Sequence, residues 1–472
     1  MALHIPFDNT YALLGPGFFS KQLPDPVVAP QLIAFNQTLA DLLQVETGDL
    51  AEMAQIFAGN QIPAGADPLA QAYAGHQFGN FNPQLGDGRA VLLGEVTGTD
   101  GNRYDIQLKG SGRTPYSRQG DGRAWLGPVL REFVVSEAMY ALGVPTTRAL
   151  AAVSTGETVW REGGMPGAVL TRVAASHLRV GTFQYFAARG ETEALKRLTT
   201  YAIERHYPQA KGPLELLRAV RDAQVGLIAA WMSVGFIHGV MNTDNCSISG
   251  ETIDYGPCAF MDHYQAEQVY SSIDRMGRYA YANQPKIVVW NMAQLATALI
   301  QQLDDPQEAV EEATAIIHAM PSLIELEWLR LFRRKLGLET VAPEDLDLIS
   351  DLLQLMSEGQ ADFTNTFGAL VEGSAAEQFR DPKAFEPWNA RWIQRCAHEQ
   401  NREALMRASN PVYIPRNHQI EDMIAAAVAG DFTLFERLKK VLETPFVVQP
   451  GAEDLRRPPE AHEVVGATFC GT

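Results

Sequence analysis

The segment from residue 238 to residue 262, HGVMNTDNCSISGETIDYGPCAFMD, holds the side chains best suited to chemistry on a nucleotide. Asn245 and Asp254 are separated by a short stretch, ISGET, that is typical of a turn. Mg²⁺ and Mn²⁺ prefer oxygen ligands, and protein kinases hold the metal of ATP with an Asn in a loop and an Asp a short hairpin later. We therefore expect Asn245 and Asp254 to bind a divalent metal.

The same segment departs from the kinase pattern at the position of the catalytic base. In that pattern the base lies five positions before the metal-binding Asn, where this chain has Val240, whose side chain cannot accept a proton. Asp244 is the nearest remaining carboxylate and is the expected proton acceptor. Transfer of the α-phosphate, from a nucleotide bound in the inverted direction, is therefore favoured over ordinary phosphotransfer.

Glycines and cations in two further segments predict phosphate binding. In LGDGRA, two glycines before a strand would let backbone amides approach an anion, and an arginine adds a fixed charge. In QLKGSGRTPYSRQGDGRAWL, a lysine ends an apolar strand and a second Asp-Gly-Arg turn follows. The expected nucleotide contacts in these segments are Gly86, Gly88, Arg89, Lys109, Asp121 and Gly122.

Lys109 requires a carboxylate to orient it, and the segment REFVVSEAM offers two on one predicted helix. Helical spacing alone leaves the choice between Glu132 and Glu137 open. A nucleotide bound in the inverted direction would also require cations at its γ-phosphate, and Arg172 and Arg179 in LTRVAASHLRVGTF are the available ones.

The segments that carry these residues are predicted to form a strand-rich region followed by a helical one. Residues 89–96 and 103–110 are predicted strands joined by the turn TGTDGN, and a helix is predicted from about Val129 to Leu142. Residues 146–154 and 168–173 are expected to be extended. Amphipathic helices dominate after Thr182, with a long one near 215–236, and the part after Val448 is predicted to be a loosely attached tail.

The amino-acid composition limits the kinds of partner that the protein is expected to bind. The 472 residues include 56 acidic and 38 basic side chains, giving a net charge of −18. This charge disfavours nucleic acid and anionic membranes as partners. The sequence shows neither a membrane-spanning stretch nor a secretory signal, so we expect a cytoplasmic protein. Nothing in it indicates assembly, and a monomer is expected.

Taken together, the motifs LGDGRA, LKGSGRTPYSR, DGRAWL, REFVVSEAMYALGVPTTRAL, TRVAASHLRVGTF and the 238–262 segment resemble the selenoprotein O (YdiU) family in its bacterial form. These matches span about residues 70–290. The resemblance implies an α+β, protein-kinase-like fold of two lobes, with a strand-rich N-terminal lobe over residues 1–180 and a mainly helical C-terminal lobe over residues 181–448. The tail then covers residues 449–472.

The resemblance also implies an activity, a pseudokinase that transfers AMP from ATP to Ser, Thr or Tyr hydroxyls of proteins. UMP transfer from UTP and the use of Mg²⁺ or Mn²⁺ are implied as well. It selects Glu132 as the partner of Lys109, and it places a redox pair at Cys258 and Cys470, although this chain ends in CGT rather than in two serines. A phosphotransferase and a non-catalytic nucleotide-binding protein are the alternatives.

Overall fold

The computed structural model describes residues 3–469 and has a mixed α/β architecture. Ten strands precede residue 175, and two short ones follow in the loop region between 236 and 260. In chain order the strands are β1 Phe19–Lys21, β2 Gln31–Phe35, β3 Leu69–Gln71, β4 Gly75–Gln77, β5 Asn80–Asn82, β6 Ala90–Thr97, β7 Arg103–Lys109, β8 Ala124–Trp125, β9 Arg148–Trp160, β10 Gly164–Ala174, β11 Phe236–Ile237 and β12 Ala259–Phe260.

The helices lie mostly after residue 179. They are α1 Gln37–Leu42, α2 Leu50–Phe57, α3 Leu126–Ala141, α4 Val180–Ala187, α5 Thr192–His206, α6 Pro213–Ser233, α7 Gln284–Leu299, α8 Pro306–His318, α9 Met320–Lys335, α10 Asp345–Gly359, α11 Phe363–Glu372, α12 Pro382–Arg395, α13 Arg402–Arg407, α14 Asn417–Val428 and α15 Thr433–Leu442. Within residues 3–469, no helix is both long and apolar enough to cross a bilayer.

An antiparallel sheet of eight strands positions the chemically interesting residues of the first half. Its order is β1-β3-β6-β7-β10-β9-β2, and β8 pairs with β10. Strands β6 and β7 form the predicted hairpin, with Ala90 opposite Lys109. Strand β10 pairs with β7 so that Arg172 lies opposite Gln107. Because side chains alternate along a strand, Gln107 and Lys109 face the same side of the sheet.

Helix α3 packs on the sheet through β9 and β10 and begins three residues earlier than the sequence predicts. Pro128 lies in its first turn, where a missing N–H costs nothing because the first amides of a helix have no partner within it. Leu130, Phe133 and Val134 are buried. The long helix α6 matches its prediction and ends before Gly235, which has a positive φ of 71°.

Two features at the ends of the chain differ from what the sequence predicts. Strands β1 to β5 lie within residues 19–82, where no strand is predicted, because strands of three to five residues are too short to show alternation. The tail is not loosely attached over its described part, since Ala452, Leu455 and Thr468 are buried. The buried residues of the tail are single apolar or hydroxyl residues spaced among polar ones. The sequence therefore shows no periodic pattern that would predict their burial.

Candidate active site

Lys109 is the centre of a group of charged side chains that the sheet, α3 and the 238–262 loop bring together. Its Nζ lies 2.5 Å from Oε2 of Glu132 and 2.5 Å from Oδ1 of Asp254. Glu132 also accepts a hydrogen bond from Arg172, at 3.3 Å, and Arg172 donates to its neighbour Gln107, at 2.6 Å. Glu132 and Asp254, from two separate segments, thus meet at Lys109, and Arg172 joins the group through Glu132.

Glu137 has a different role from Glu132. It binds Arg148 through two hydrogen bonds of 2.8 and 2.6 Å, and it also accepts from Asn36 and from the backbone N–H of Ala149. These contacts attach α3 to the start of β9. Of the two α3 glutamates, therefore, Glu132 is the one that contacts Lys109 and can orient it.

Asp254 is held as a carboxylate. Burial alone would raise the pKa of Asp254, but neighbouring cations outweigh burial and hold that pKa well below its ordinary range; they are Lys109, Arg89 and Arg172. Its backbone has a φ of +72°, which is uncommon outside glycine and is better tolerated by Asp and Asn than by most residues. The side chain is thus ionised and aimed by an unusual backbone conformation.

Asn245 lies in a single 3₁₀ turn over Thr243–Asn245. Its amide nitrogen donates to the carbonyl of Val240 at 3.0 Å, which leaves the amide oxygen as the group able to bind a cation. His238 supports the same loop, because its Nδ1 accepts from the N–H of Val240 and its Nε2 donates to the carbonyl of Ile253. Burial lowers the pKa of His238, as this neutral form requires.

Asp244 is almost fully buried, and its carboxylate has one described side-chain partner. Gln77 donates to Oδ2 at 3.1 Å, whereas Oδ1 has no hydrogen-bond partner among the described residues. Burial is the main reason that the pKa of Asp244 is raised. A carboxylate with few donors and a raised pKa is suited to accept a proton.

Arg179, the second arginine expected near the γ-phosphate, belongs to a neighbouring cluster. Arg179 precedes α4, its guanidinium stacks over the ring of Tyr73 at 4.2 Å, and it lies 3.8 Å from Asp87. Asp87 also accepts from Gln107, at 3.1 Å, and Gln107 is the partner of Arg172. The two arginines are therefore linked through Asp87 and Gln107, residues to which the sequence analysis gave no role.

The glycines of LGDGRA lie against the loop after β7. Gly86 has a φ of +125°, and a Cβ atom there would overlap the ring of Tyr116, while at Gly88 it would lie 3.0 Å from the Tyr116 carbonyl. Gly122 is similarly close to the carbonyl of Gly112. These glycines allow two loops to approach each other closely beside the Lys109 cluster.

Asp121 is not brought into contact with the Lys109 cluster by any interaction of the described residues. Its carboxylate binds Arg161 at 2.9 and 3.1 Å and accepts from the N–H of Arg123. The Asp121 side chain is 44% exposed, so its predicted nucleotide contact would have to be made from the protein surface.

The two predicted redox residues are described unequally. Cys258 is buried, and burial raises the pKa of its thiol to about 12. Cys470 lies outside the described residues. Thr468, two positions before it, donates a hydrogen bond of 2.5 Å to the carbonyl of Pro257, the residue before Cys258.

The hairpin of β4 and β5 carries Gln77, a further residue to which the sequence gives no role. Its strands pair His76 with Phe81, and it covers the loop that carries Asp244. Nδ1 of His76 accepts a hydrogen bond from Gln184, and the His76 ring packs against Trp290. The glycine-rich run YAGHQFGNFNPQLGDG was a usable signal for an ordered loop, but it did not reveal which side chain faces Asp244.

Comparison with known proteins identifies the family to which the chain is similar. The sequence model described as "Protein adenylyltransferase SelO" matches residues 1–443. The chain is 71% identical over 472 residues to a "Protein nucleotidyltransferase YdiU" of Ruegeria sp. (strain TM1040), covering 100% of both chains. It is 67% identical to the protein of the same name from Ruegeria pomeroyi, again over 100% of both, and 58% identical to that of Jannaschia sp. (strain CCS1), over 99% of both.

Proposed function

The chain belongs to the SelO family and is a protein nucleotidyltransferase, and from this premise we propose that it transfers AMP from ATP to Ser, Thr or Tyr hydroxyls of proteins. Diphosphate is the leaving group. The observation that carries the proposal is the pair of 2.5 Å contacts by which Lys109 joins Glu132 to Asp254. Such a lysine, fixed by a helix carboxylate beside a metal-binding aspartate, is suited to hold nucleotide phosphates.

Asn245 and Asp254 would hold the divalent metal. The donor set fits, because an amide oxygen and an ionised carboxylate are hard ligands of the kind that Mg²⁺ and Mn²⁺ prefer. No group of three or more His, Cys, Asp or Glu side chains suited to a metal is found within residues 3–469, so phosphate oxygens and water would complete the coordination. When bound, the metal neutralises charge on the phosphates and on the leaving diphosphate.

Asp244 is proposed as the proton acceptor. The acceptor hydroxyl gives its proton to the Asp244 carboxylate, its oxygen forms a bond to the α-phosphorus, and the bond from that phosphorus to the bridging oxygen breaks, so diphosphate leaves with the electron pair. Val240 is buried, and the hydrocarbon side chain at the kinase base position has no proton acceptor. This difference supports α-phosphate transfer over γ-phosphate transfer.

The nucleotide is proposed to bind in the inverted direction, with its γ-phosphate towards Arg172 and Arg179. Both guanidinium groups are buried and joined through Gln107 and Asp87, so they form a fixed cationic site. The remaining proposed nucleotide contacts come from the glycine loops and their neighbours, namely Gly86, Gly88, Arg89, Asp121 and Gly122.

A protein-kinase-like arrangement of two lobes is part of the proposal. Residues 1–180 would form the N-terminal lobe, residues 181–448 the C-terminal lobe, and residues 449–472 the tail. The concentration of strands before residue 175 and of helices after residue 179 supports this division.

UTP is proposed as a second nucleotide donor, which would give UMP transfer. The enzyme is proposed to act as a cytoplasmic monomer, and its proposed substrates are proteins rather than nucleic acid or membranes.

The proposed redox pair, Cys258 and Cys470, would tether the tail over the catalytic loop when oxidised. Thr468 lies two positions before Cys470 in the sequence, and its hydrogen bond to the carbonyl of Pro257, the residue before Cys258, supports this pairing. Labelling rates with and without reductant test the pair. A rate difference in the wild type that disappears in Cys258→Ser supports it, and equal wild-type rates contradict it.

The central test uses ATP labelled at the α- or at the γ-phosphate, with a bacterial lysate as the source of acceptor proteins. Covalent label from the α position alone supports the proposal, label from the γ position alone indicates a kinase, and label from neither indicates nucleotide binding without transfer. Asp244→Ala should abolish transfer while it retains much of the ATP affinity. Labelling equal to that of the wild type would remove Asp244 as the base.

A further inference from the structure

The β4–β5 hairpin is attached to the loop of Asp244 by backbone hydrogen bonds on either side of Gln77. The N–H of His76 donates to Oγ1 of Thr243 at 2.7 Å, and the N–H of Phe78 donates to Oδ1 of Asn242 at 3.0 Å. Gln77 is thus fixed between two points of contact, within hydrogen-bond distance of the proposed base.

Among the described residues, Gln77 is the side chain that donates a hydrogen bond to the Asp244 carboxylate, from Nε2 to Oδ2 at 3.1 Å. An amide donor differs from a lysine or arginine in an important respect, because it orients a carboxylate without neutralising its charge. A base held in this way keeps its negative charge while its rotamer is restricted.

Gly75 lies close to Asp244 on the other side. A Cβ atom placed on Gly75 would lie 2.5 Å from Oδ1 and 2.8 Å from Cβ of Asp244. A side chain at position 75 would therefore overlap the carboxylate on the Oδ1 side, while Gln77 binds Oδ2. The absence of a side chain at Gly75 lets the hairpin lie close to Asp244.

We propose that Gln77 is a positioning residue, which sets the orientation of the Asp244 carboxylate for removal of the acceptor proton. The inference rests on the proposed function, since it assumes that Asp244 is the base. Gln77 exchanges no proton and forms no bond to the nucleotide in this role, so its contribution is to the rate of transfer and not to nucleotide affinity. A base misplaced by a fraction of an ångström transfers a proton less efficiently.

The test compares Gln77→Met, which keeps the length of the side chain and removes the donor, with Gln77→Glu, which keeps the shape and adds a repelling charge. Asn80→Ala, on the exposed part of the same hairpin, is the control. With α-labelled ATP and a bacterial lysate as acceptor, we expect kcat to fall roughly 10- to 100-fold in Gln77→Met and further in Gln77→Glu. In Gln77→Met the KM for ATP, its Kd and the Tm should stay at the wild-type values.

Three results would overturn the inference. They are an unchanged kcat in Gln77→Met, a kcat loss accompanied by an equal loss of ATP affinity, and a kcat loss explained by a lower Tm. Failure of the proposed function gives a different result, because the wild-type protein itself would then transfer no α-label. Wild-type transfer together with full activity of both Gln77 variants would count against the role of Gln77 alone.

Discussion

Lys109 and Asp254 are 145 positions apart in the chain, and their side chains meet at 2.5 Å. Lys109 ends a strand of the large sheet, and Asp254 follows the 3₁₀ turn of Asn245 in a loop that belongs to the helical part. The contact therefore joins the two halves of the chain at the proposed nucleotide site. Relative movement of the sheet and the loop would change the distance between the phosphate-binding lysine and the metal ligand.

The first prediction concerns the carboxylate that fixes Lys109. Glu132→Gln removes the charge from a side chain that is 4% exposed and contacts both Lys109 and Arg172, so we expect AMP transfer to fall roughly 100-fold because the lysine loses its orientation. The matched control is Glu137→Gln on the same helix, which should lose some stability and retain most of its activity. Steady-state labelling with α-labelled ATP measures both, and equal activity losses would contradict the assignment of Glu132.

The sequence predicted the elements around Lys109 better than it predicted their contacts. Strands β6 and β7 and helices α3 and α6 were recognised because each is long enough to show a period of two or of 3.6 residues. The choice between Glu132 and Glu137 could not be made from helical spacing, since it depends on which face of α3 meets the sheet. Family resemblance selected Glu132, and the described contacts agree.

Gln77, Gln107 and Asp87 show why the rest of the site was missed. Each is a common polar residue whose importance comes from a long-range neighbour, Asp244 for Gln77 and the two arginines for the others. A single sequence carries no signal for such a pair. Short strands such as β4 and β5 were missed for a related reason, because their hydrogen bonds and not their composition define them.

The second prediction tests the close packing beneath Asp244. A Cβ atom on Gly181 would overlap the carbonyl oxygen of Ala74 and lie 3.4 Å from Cα of Asp244. Gly181→Ala should therefore lower the free energy of unfolding by about 1–3 kcal/mol and reduce transfer, because the backbone must shift. Urea unfolding and α-label transfer provide the measurements.

Gly226→Ala is the control for that substitution. Gly226 lies within α6, and a Cβ atom there meets nothing within 4 Å. Alanine should stabilise the helix by about 0.5–1 kcal/mol and leave activity unchanged. If Gly181→Ala behaved like Gly226→Ala, the packing of Ala74 on α4 would not restrain the catalytic loop.

The third prediction concerns metal-dependent nucleotide binding. Asp254→Asn keeps a residue type that tolerates the φ of +72° but removes the charge that binds the metal. We expect the rise in Tm that ATP with Mg²⁺ or Mn²⁺ produces to be lost. Wild-type protein with ATP and a chelator should behave like the variant, and a variant that keeps the full metal-dependent rise would refute the role of Asp254.

The final prediction concerns acid stability and His177, which is 1% exposed and binds Oδ2 of Asp105 through Nδ1 at 2.9 Å. Burial is the main cause that lowers the pKa of His177 to about 4, and the nearby Arg172 and Arg179 act in the same direction, whereas Asp105 opposes them. The folded state therefore binds a proton less readily than the unfolded state, so the stability due to this group is complete above pH 6.5 and is lost as the pH falls towards 4.

Between about pH 7.5 and pH 5, this difference corresponds to a loss of about 2 kcal/mol in the free energy of unfolding. His177→Asn places an amide N–H near the position of Nδ1 and cannot titrate in this range, so its stability should change less over the same interval. Urea unfolding of both proteins at the two pH values measures the difference. Parallel pH dependences would mean that another buried group, and not His177, controls stability in mild acid.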